Sequence, residues 1–137
     1  NLNELINSIL KNYESNRYNF VSREIVEIDV RKNLVKRCIS NIIINGLAYG
    51  DKIYIEVKKS MNNAIIIIED DGPGIPKSEY ANVFKPFYRV DKSRGLNKSG
   101  VGLGLSVAQD IVKSHGGNIT LAESQHKGLL VKISFPF

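Results

Sequence analysis

Ile65-Ile66-Ile67-Ile68-Glu69-Asp70-Asp71-Gly72-Pro73-Gly74-Ile75 is the run whose reading decides the fold. The four isoleucines read as a buried strand, and it ends abruptly in carboxylates and a glycine-rich turn. In α/β and related sheets ligands dock at strand ends, where unpaired backbone groups border a crevice. Acidic-Gly-Pro-Gly is also ordinary turn chemistry, so the run alone leaves a turn and a ligand site equally open.

Upstream of it, Ile53, Ile55 and Val57 alternate with Tyr54, Glu56 and Lys58, and Met61-Asn62-Asn63 is a turn, so residues 53–69 predict a hairpin. Before that hairpin, the spacing predicts a helix over residues 32–49, with Val35, Ile39, Ile42 and Ile43 as its buried stripe. Arg37, Asn41 and Asn45 recur every fourth residue along another edge, with Ala48 and Tyr49 one turn on. Asparagine is a middling-to-poor helix former. The pair is therefore either a solvated edge or a source of neutral hard oxygens for a Mg²⁺ that is also bound by phosphates. The chain opens with an amphipathic helix carrying Leu2, Leu5, Ile6, Ile9 and Leu10 and ending near Glu14. Residues 18–21 and 25–30 then read as two short strands of a hairpin.

Downstream, a short helix over about residues 78–84 leads into Phe84-Lys85-Pro86-Phe87-Tyr88-Arg89, where two phenylalanines flank a Lys-Pro pair. Residues 91–99 are basic and aperiodic, and Ser99-Gly100-Val101-Gly102-Leu103-Gly104-Leu105 follows. Leu103, Val107, Ala108, Ile111 and Val112 then share one helix face, closed by Gly116-Gly117. A glycine-rich loop entering a helix N-terminus offers free N–H groups and a positive dipole end to an anion. Its spacing is neither GxGxxG after a strand nor GxxxxGK[ST], which excludes the Rossmann and P-loop fingerprints. Residues 118–122 and 129–135 finish the chain as a hairpin.

At 137 residues the chain is long enough for one well-buried domain, and 42% hydrophobic with 24% charged residues is an ordinary globular composition. No apolar run approaches the roughly 20 residues of a membrane span. The chain starts in mid-pattern without an initiator Met, signal peptide or lipidation motif, which reads as an excised domain. One cysteine, Cys38, excludes an internal disulfide and a multi-cysteine metal site. The net charge of +5 is concentrated at Arg89, Lys92, Arg94 and Lys98, with no aromatic residue between Arg89 and Lys98. That favours a compact polyanion such as a nucleotide's phosphates over a nucleic-acid footprint.

Four blocks thus follow in order: paired asparagines on a helix, Asp-x-Gly-x-Gly after a strand, an aromatic-Pro loop, and Gly-x-Gly-x-Gly before a helix. Over essentially the whole chain this set resembles the catalytic and ATP-binding domain of sensor histidine kinases, with residues 41–50, 70–74, 84–87 and 100–104 as its N, G1, F and G2 boxes. The resemblance implies an α/β (α+β) two-layer sandwich of the Bergerat type, a mixed sheet covered on one face by three main helices, with an ATP lid. It implies that residues 1–137 are that domain, with ATP and Mg²⁺ as cofactors. By it, Asp70 accepts a hydrogen bond from the adenine amino group, Gly72 and Gly74 let backbone approach the base, and Ile75 and Tyr49 sandwich it. Asn45 would coordinate Mg²⁺ and Asn41 would lie near the phosphates or the metal's water shell. Gly100, Gly102 and Gly104, with Leu103 and Leu105, would wrap the triphosphate, and Arg89, Arg94 or Lys98 would neutralise it from the lid.

Two departures from the family pattern stand out. The position three residues after Asn45, commonly Lys or Arg, is Ala48, which removes one phosphate contact. Asn45 is followed by Gly46 where Ala is usual, and an interior helical Gly costs about 1 kcal/mol relative to Ala. Both imply weak nucleotide affinity. ATP-hydrolysing relatives carry a water-activating Glu four residues before the metal-binding Asn; here that residue is Asn41, and an amide is no general base at neutral pH. The resemblance therefore implies transfer of the γ-phosphate to a histidine, with a non-catalytic nucleotide-sensing or partner-binding module of the same fold as the alternative. Neither His115 nor His126 begins the pattern of a phosphoacceptor helix. The acceptor is expected on a separate dimerisation domain, with a response regulator receiver domain as the next partner and no nucleic acid. The fragment is expected to be a monomeric cytoplasmic domain that does not autophosphorylate, from a homodimeric parent in the bacterial inner membrane.

Overall fold

A computed structural model describes residues 1–85 and 104–137. Helix α1 (Leu2–Leu10) starts where the Asn1 side chain accepts the Glu4 N–H at 3.0 Å, an N-cap. Its apolar stripe is buried as predicted, but the helix stops at Leu10, short of Glu14. The chain there tightens into i→i+3 bonds from Asn12 to Ile9 and from Tyr13 to Leu10. Strand β1 (Tyr18–Ser22) is followed by the long helix α2 (Lys32–Tyr49), then β2 (Ile53–Lys59), β3 (Asn63–Asp70), helix α3 (Gly104–Ser114), β4 (Asn118–Glu123) and β5 (Leu129–Pro136).

The five strands form one mixed sheet in the order β1-β2-β3-β5-β4. Only β1 and β2 are parallel, and α2 makes the crossover that such a pair requires; the other neighbours are antiparallel. Side chains alternate across the sheet, and the register puts Ile55 opposite Ile68, and Ile66 opposite Ile133, on the same buried face. The stripes of α1, α2 and α3 join that face in a single hydrophobic core that includes Ile6, Ile43, Val112 and Phe135. This is the two-layer arrangement expected from the sequence.

The N-terminal hairpin is a correction. Residues 25–30 form no strand, and β1 pairs in parallel with β2, Tyr18 opposite Ile53, instead of with its chain neighbour. The alternation of Val26, Ile28 and Val30 has another cause. Val26 is fully buried, Ile28 and Val30 pack against the core, and the backbone here bonds to α1: Leu2 N–H donates to the Val26 carbonyl, and Val26 N–H to Asn3 Oδ1, both at 2.9 Å. The short helix near residue 80 is likewise two 3₁₀ turns, Lys77–Glu79 and Asn82–Phe84, each too brief to nucleate an α-helix.

Cys38 lies on the buried side of α2, its Sγ 3.7 Å from the Ala108 carbonyl of α3. Burial pushes its thiol up to about 12. Because the thiolate is the nucleophile, native protein is expected to resist alkylation at mildly alkaline pH, with labelling following unfolding in urea. Rapid labelling of native protein, monitored by mass spectrometry, would contradict this packing.

Candidate functional site

Strand β3 delivers Asp70 to its end, where the pairing with β2 closes on Ile53. Asp70 Oδ1 accepts two backbone N–H groups, from Gly72 at 3.0 Å and from Leu129 of β5 at 3.3 Å. The other oxygen, Oδ2, faces helix α2 at Gly46, 3.6 Å from where a Cβ on that residue would stand. Burial holds the Asp70 carboxyl above its ordinary value. The Gly72 and Leu129 N–H groups oppose that rise, and the neighbouring charge of Asp71 adds to it. A partly desolvated carboxylate with one oxygen fixed and the other directed toward a gap in a helix is suited to accept from a ligand's N–H.

Gly46 therefore has a packing reason beyond helix propensity. A Cβ there would come within 3.1 Å of Ile53 Cγ2 and 3.4 Å of Asp70 Cβ, so the bare Cα lets α2 lie close to the strand end. Gly72 serves the same approach, since its Cβ would stand 3.0 Å from the Tyr49 carbonyl. Gly74 has φ +76° and faces the Lys127 carbonyl at 3.0 Å from a would-be Cβ. Contacts within the protein already call for these glycines. Tyr49 and Ile75 are each half-buried, Tyr49 in the last turn of α2 and Ile75 packed against the core.

Asn41 and Asn45 lie half-buried on α2, and the would-be Cβ of Gly104, first residue of α3, is 3.6 Å from the Asn41 carbonyl. The asparagine edge, the Asp70 strand end and the N-terminus of α3 therefore converge around the C-terminal half of α2. Helix α3 is described from Gly104 onward. Its Leu105 side chain is buried in the core, leaving the backbone as that residue's means of reaching a phosphate. Arg89, Arg94, Lys98, Gly100, Gly102 and Leu103 lie outside the described residues.

Among the described residues no group of three or more His, Cys, Asp or Glu could hold a metal ion. What the C-terminal half of α2 could offer a cation is neutral amide oxygen, from Asn41 and Asn45, a donor type suited to a Mg²⁺ held mainly by phosphate oxygens. Both histidines are built into the fold. His115 Nδ1 donates to the Ile111 carbonyl at 2.8 Å while Nε2 accepts the Arg31 N–H at 3.1 Å, and His126 stacks on Tyr54 at 3.7 Å.

The β4–β5 turn was not singled out by sequence reading, yet it completes the Asp70 environment. Ser124 Oγ donates to Glu69 at 3.0 Å, Lys127 adopts φ 82°, and a Cβ on Gly128 would overlap both the Asp70 carboxylate and its carbonyl. The residues Gln125-His126-Lys127-Gly128 carry only a turn signal. Asp71 Oδ1 accepts the N–H groups of Asp51 and Lys52 at 2.8 and 3.1 Å, from across the sheet end.

A sequence model for "Histidine kinase-, DNA gyrase B-, and HSP90-like ATPase" matches residues 30–137. The chain is 32% identical over 136 residues to the sensor histidine kinase GtrS of Pseudomonas aeruginosa, covering 98% of this chain and 28% of that protein. It is 37% identical over 117 residues to the sensor histidine kinase WalK of Bacillus subtilis, covering 82% of this chain and 19% of that one. Among solved structures, the histidine kinase domain of the Escherichia coli osmosensor EnvZ superposes with a TM-score of 0.74 at 28% identity, covering 98% of this chain and 85% of that one. The catalytic domain of histidine kinase ThkA superposes at 0.84 with 24% identity, covering 99% and 92%, and shares the fold. The chain therefore spans under a third of the length of these curated relatives.

Proposed function

This chain belongs to the family of histidine kinase-, DNA gyrase B- and HSP90-like ATPases, and from that membership we propose that residues 1–137 are the catalytic and ATP-binding domain of a sensor histidine kinase. The domain binds ATP with Mg²⁺. It hands the γ-phosphoryl group to a histidine on a separate dimerisation domain, for relay to a response regulator's receiver domain. The observation that carries this reading is the convergence of Asp70, the Asn41–Asn45 edge and the first turn of α3 around one end of α2. It is further supported by the curated relatives named as sensor histidine kinases.

Each group then has a task. Asp70 reads the adenine amino group through Oδ2, with Oδ1 fixed by backbone. Asn45 offers its amide oxygen to Mg²⁺, which when bound neutralises phosphate charge, and Asn41 faces the phosphates or the metal's water shell. The first turn of α3 and the glycine loop before it cradle the triphosphate, and the basic residues at 89, 94 and 98 add countercharge. Asn41 cannot activate water, which favours transfer over hydrolysis. In the transfer the bond from the γ-phosphorus to the bridging oxygen breaks, a P–N bond to imidazole forms, and ADP leaves. The parent is a membrane-anchored homodimer with this domain on its cytoplasmic side. No helix among the described residues is long and apolar enough to cross a membrane.

Titration of ATP with and without Mg²⁺ tests the assignment. Asn45→Ala is expected to lose the Mg²⁺-dependent part of the affinity, roughly tenfold, and to bind metal-free ADP as the wild type does. Equal binding by wild type, Asn45→Ala and Asp70→Asn would overturn the site. Ala48, where a phosphate-reaching cation is usual, favours a second reading, a nucleotide-sensing module without catalysis. Adding a dimerisation domain that bears the acceptor histidine separates the two: ATP binding with no phosphohistidine formed selects the second.

A further inference from the structure

Between the last residue of α2 and the first of β2 the chain makes a turn of three residues, Gly50, Asp51 and Lys52. Opposite groups hold this turn from its two sides. On one side the Arg17 guanidinium donates Nε to the Asp51 carbonyl at 2.9 Å, and Nη2 to the carbonyls of Gly50 and Leu47 at 3.3 and 3.4 Å. On the other, Asp71 Oδ1 accepts the Asp51 and Lys52 N–H groups. A cation therefore supplies donors to carbonyls at and just past the C-terminus of an 18-residue helix, where intrahelical N–H groups run out and the helix dipole also favours it. An anion takes the amides that follow.

Arg17 is placed for this by the sheet. It closes the 3₁₀ turn Ser15–Arg17 and immediately precedes β1, whose first pair is Tyr18 with Ile53, so parallel register brings Arg17 beside Lys52. The turn is also packed against the Asp70–Gly72 loop with no slack. A Cβ on Gly50 would stand 2.6 Å from Asp71 Oδ1 and 2.9 Å from Gly72 N, and Gly72 itself abuts the Tyr49 carbonyl. A shift of the turn toward that loop would press Tyr49 against Gly72, whose N–H fixes Asp70 Oδ1, and a shift away would release the contact.

We propose that Arg17 and Asp71 are a positioning pair for the nucleotide site. By gripping the 50–52 turn from its carbonyl and amide sides, they set the distance between the end of α2 and the strand end that presents Asp70. This rests on the adenine-reading role given to Asp70 above. Arg17 touches no nucleotide. It acts through the turn, and its three-acceptor fork is a geometry that a lysine ammonium does not reproduce.

The test measures metal-free ADP binding and backbone amide exchange on wild type, Arg17→Ala, Arg17→Lys, Asp71→Ala and Asp71→Asn, well below every melting transition. Asn keeps an Oδ1 acceptor, so Asp71→Asn is expected to retain most of the wild-type affinity. Arg17→Ala and Asp71→Ala are expected to bind ADP about five- to tenfold more weakly, with Arg17→Lys intermediate, and to lose exchange protection at Gly72. Val26→Ala, a core change under α1, is the control for global destabilisation and should leave both readouts unchanged. Wild-type ADP affinity in Arg17→Ala, with Gly72 protection retained, would overturn the pairing even if that variant melts earlier. Should the wild type itself bind no adenine nucleotide, the functional assignment fails. The Gly72 exchange comparison then still decides whether Arg17 governs the loop.

Discussion

Gly128→Ala is expected to weaken ADP and ATP binding on the order of a hundredfold, equivalent to about 3 kcal/mol, although it adds only one methyl group, at a residue given no nucleotide contact of its own. Gly128 does not have a positive φ, so alanine is compatible with its backbone. The obstacle is space. The new Cβ would overlap the Asp70 carboxylate and carbonyl oxygens, and the carbonyl belongs to a strand paired on both sides and cannot swing aside. Relief requires β5 to draw away at Leu129, which removes that residue's hydrogen bond to Asp70. Calorimetric titration with a parallel urea melt checks this. Wild-type affinity in Gly128→Ala would mean that the β4–β5 turn does not shape the base site.

Asp70→Asn is expected to separate stability from function in opposite directions. Asparagine keeps a carbonyl oxygen that can accept the Gly72 and Leu129 N–H groups, so the loop should close as before. Its amide nitrogen then stands where Oδ2 faced the helix. An incoming adenine amino group meets a donor instead of an acceptor, and binding should fall roughly 10- to 100-fold, the scale of a hydrogen bond to a charged group. Stability should rise at neutral pH. Because burial raises the folded pKa of Asp70, its favourable contribution is fully present below the unfolded carboxylate value of about 3.9 and is lost as pH rises through the higher folded value. The variant escapes that loss, so its melting temperature should exceed the wild type's at neutral pH, with the gap closing as pH falls below about 3.9. A variant that binds poorly because it misfolds would melt lower. A lower melting temperature at neutral pH would sink this account of Asp70.

The two-layer architecture was legible because most of its elements carry one dominant period. Leu2 to Leu10, Val35 to Ile43 and Leu129 to Phe135 each bury the stripe that their spacing announces. The failure at residues 25–30 has a specific cause. Alternation records which side chains are buried, not what their amides bond to, and here the amides bond to a helix. The ends of β3 and α2 were legible as a candidate site through Asp70 and the asparagine edge, which the fold brings to neighbouring positions. Arg17, Gly128 and the Leu129 N–H were not. They reach the site through pairings of residues 30 to 59 positions apart, for which local composition carries no signal.

The strand order has a consequence for how the protein is made. β5 lies in the sheet between β3 and β4, yet it follows both in sequence, emerging from the ribosome long after the isoleucine run of β3. Until it arrives, the nascent chain carries an apolar strand with one edge unpaired, the kind of edge that recruits neighbouring chains. The Asp70 carboxylate lacks its Leu129 partner over the same interval. A transcript cut short between residues 70 and 129 would therefore yield a product that is both prone to aggregate and blind to nucleotide, and not a partly active one.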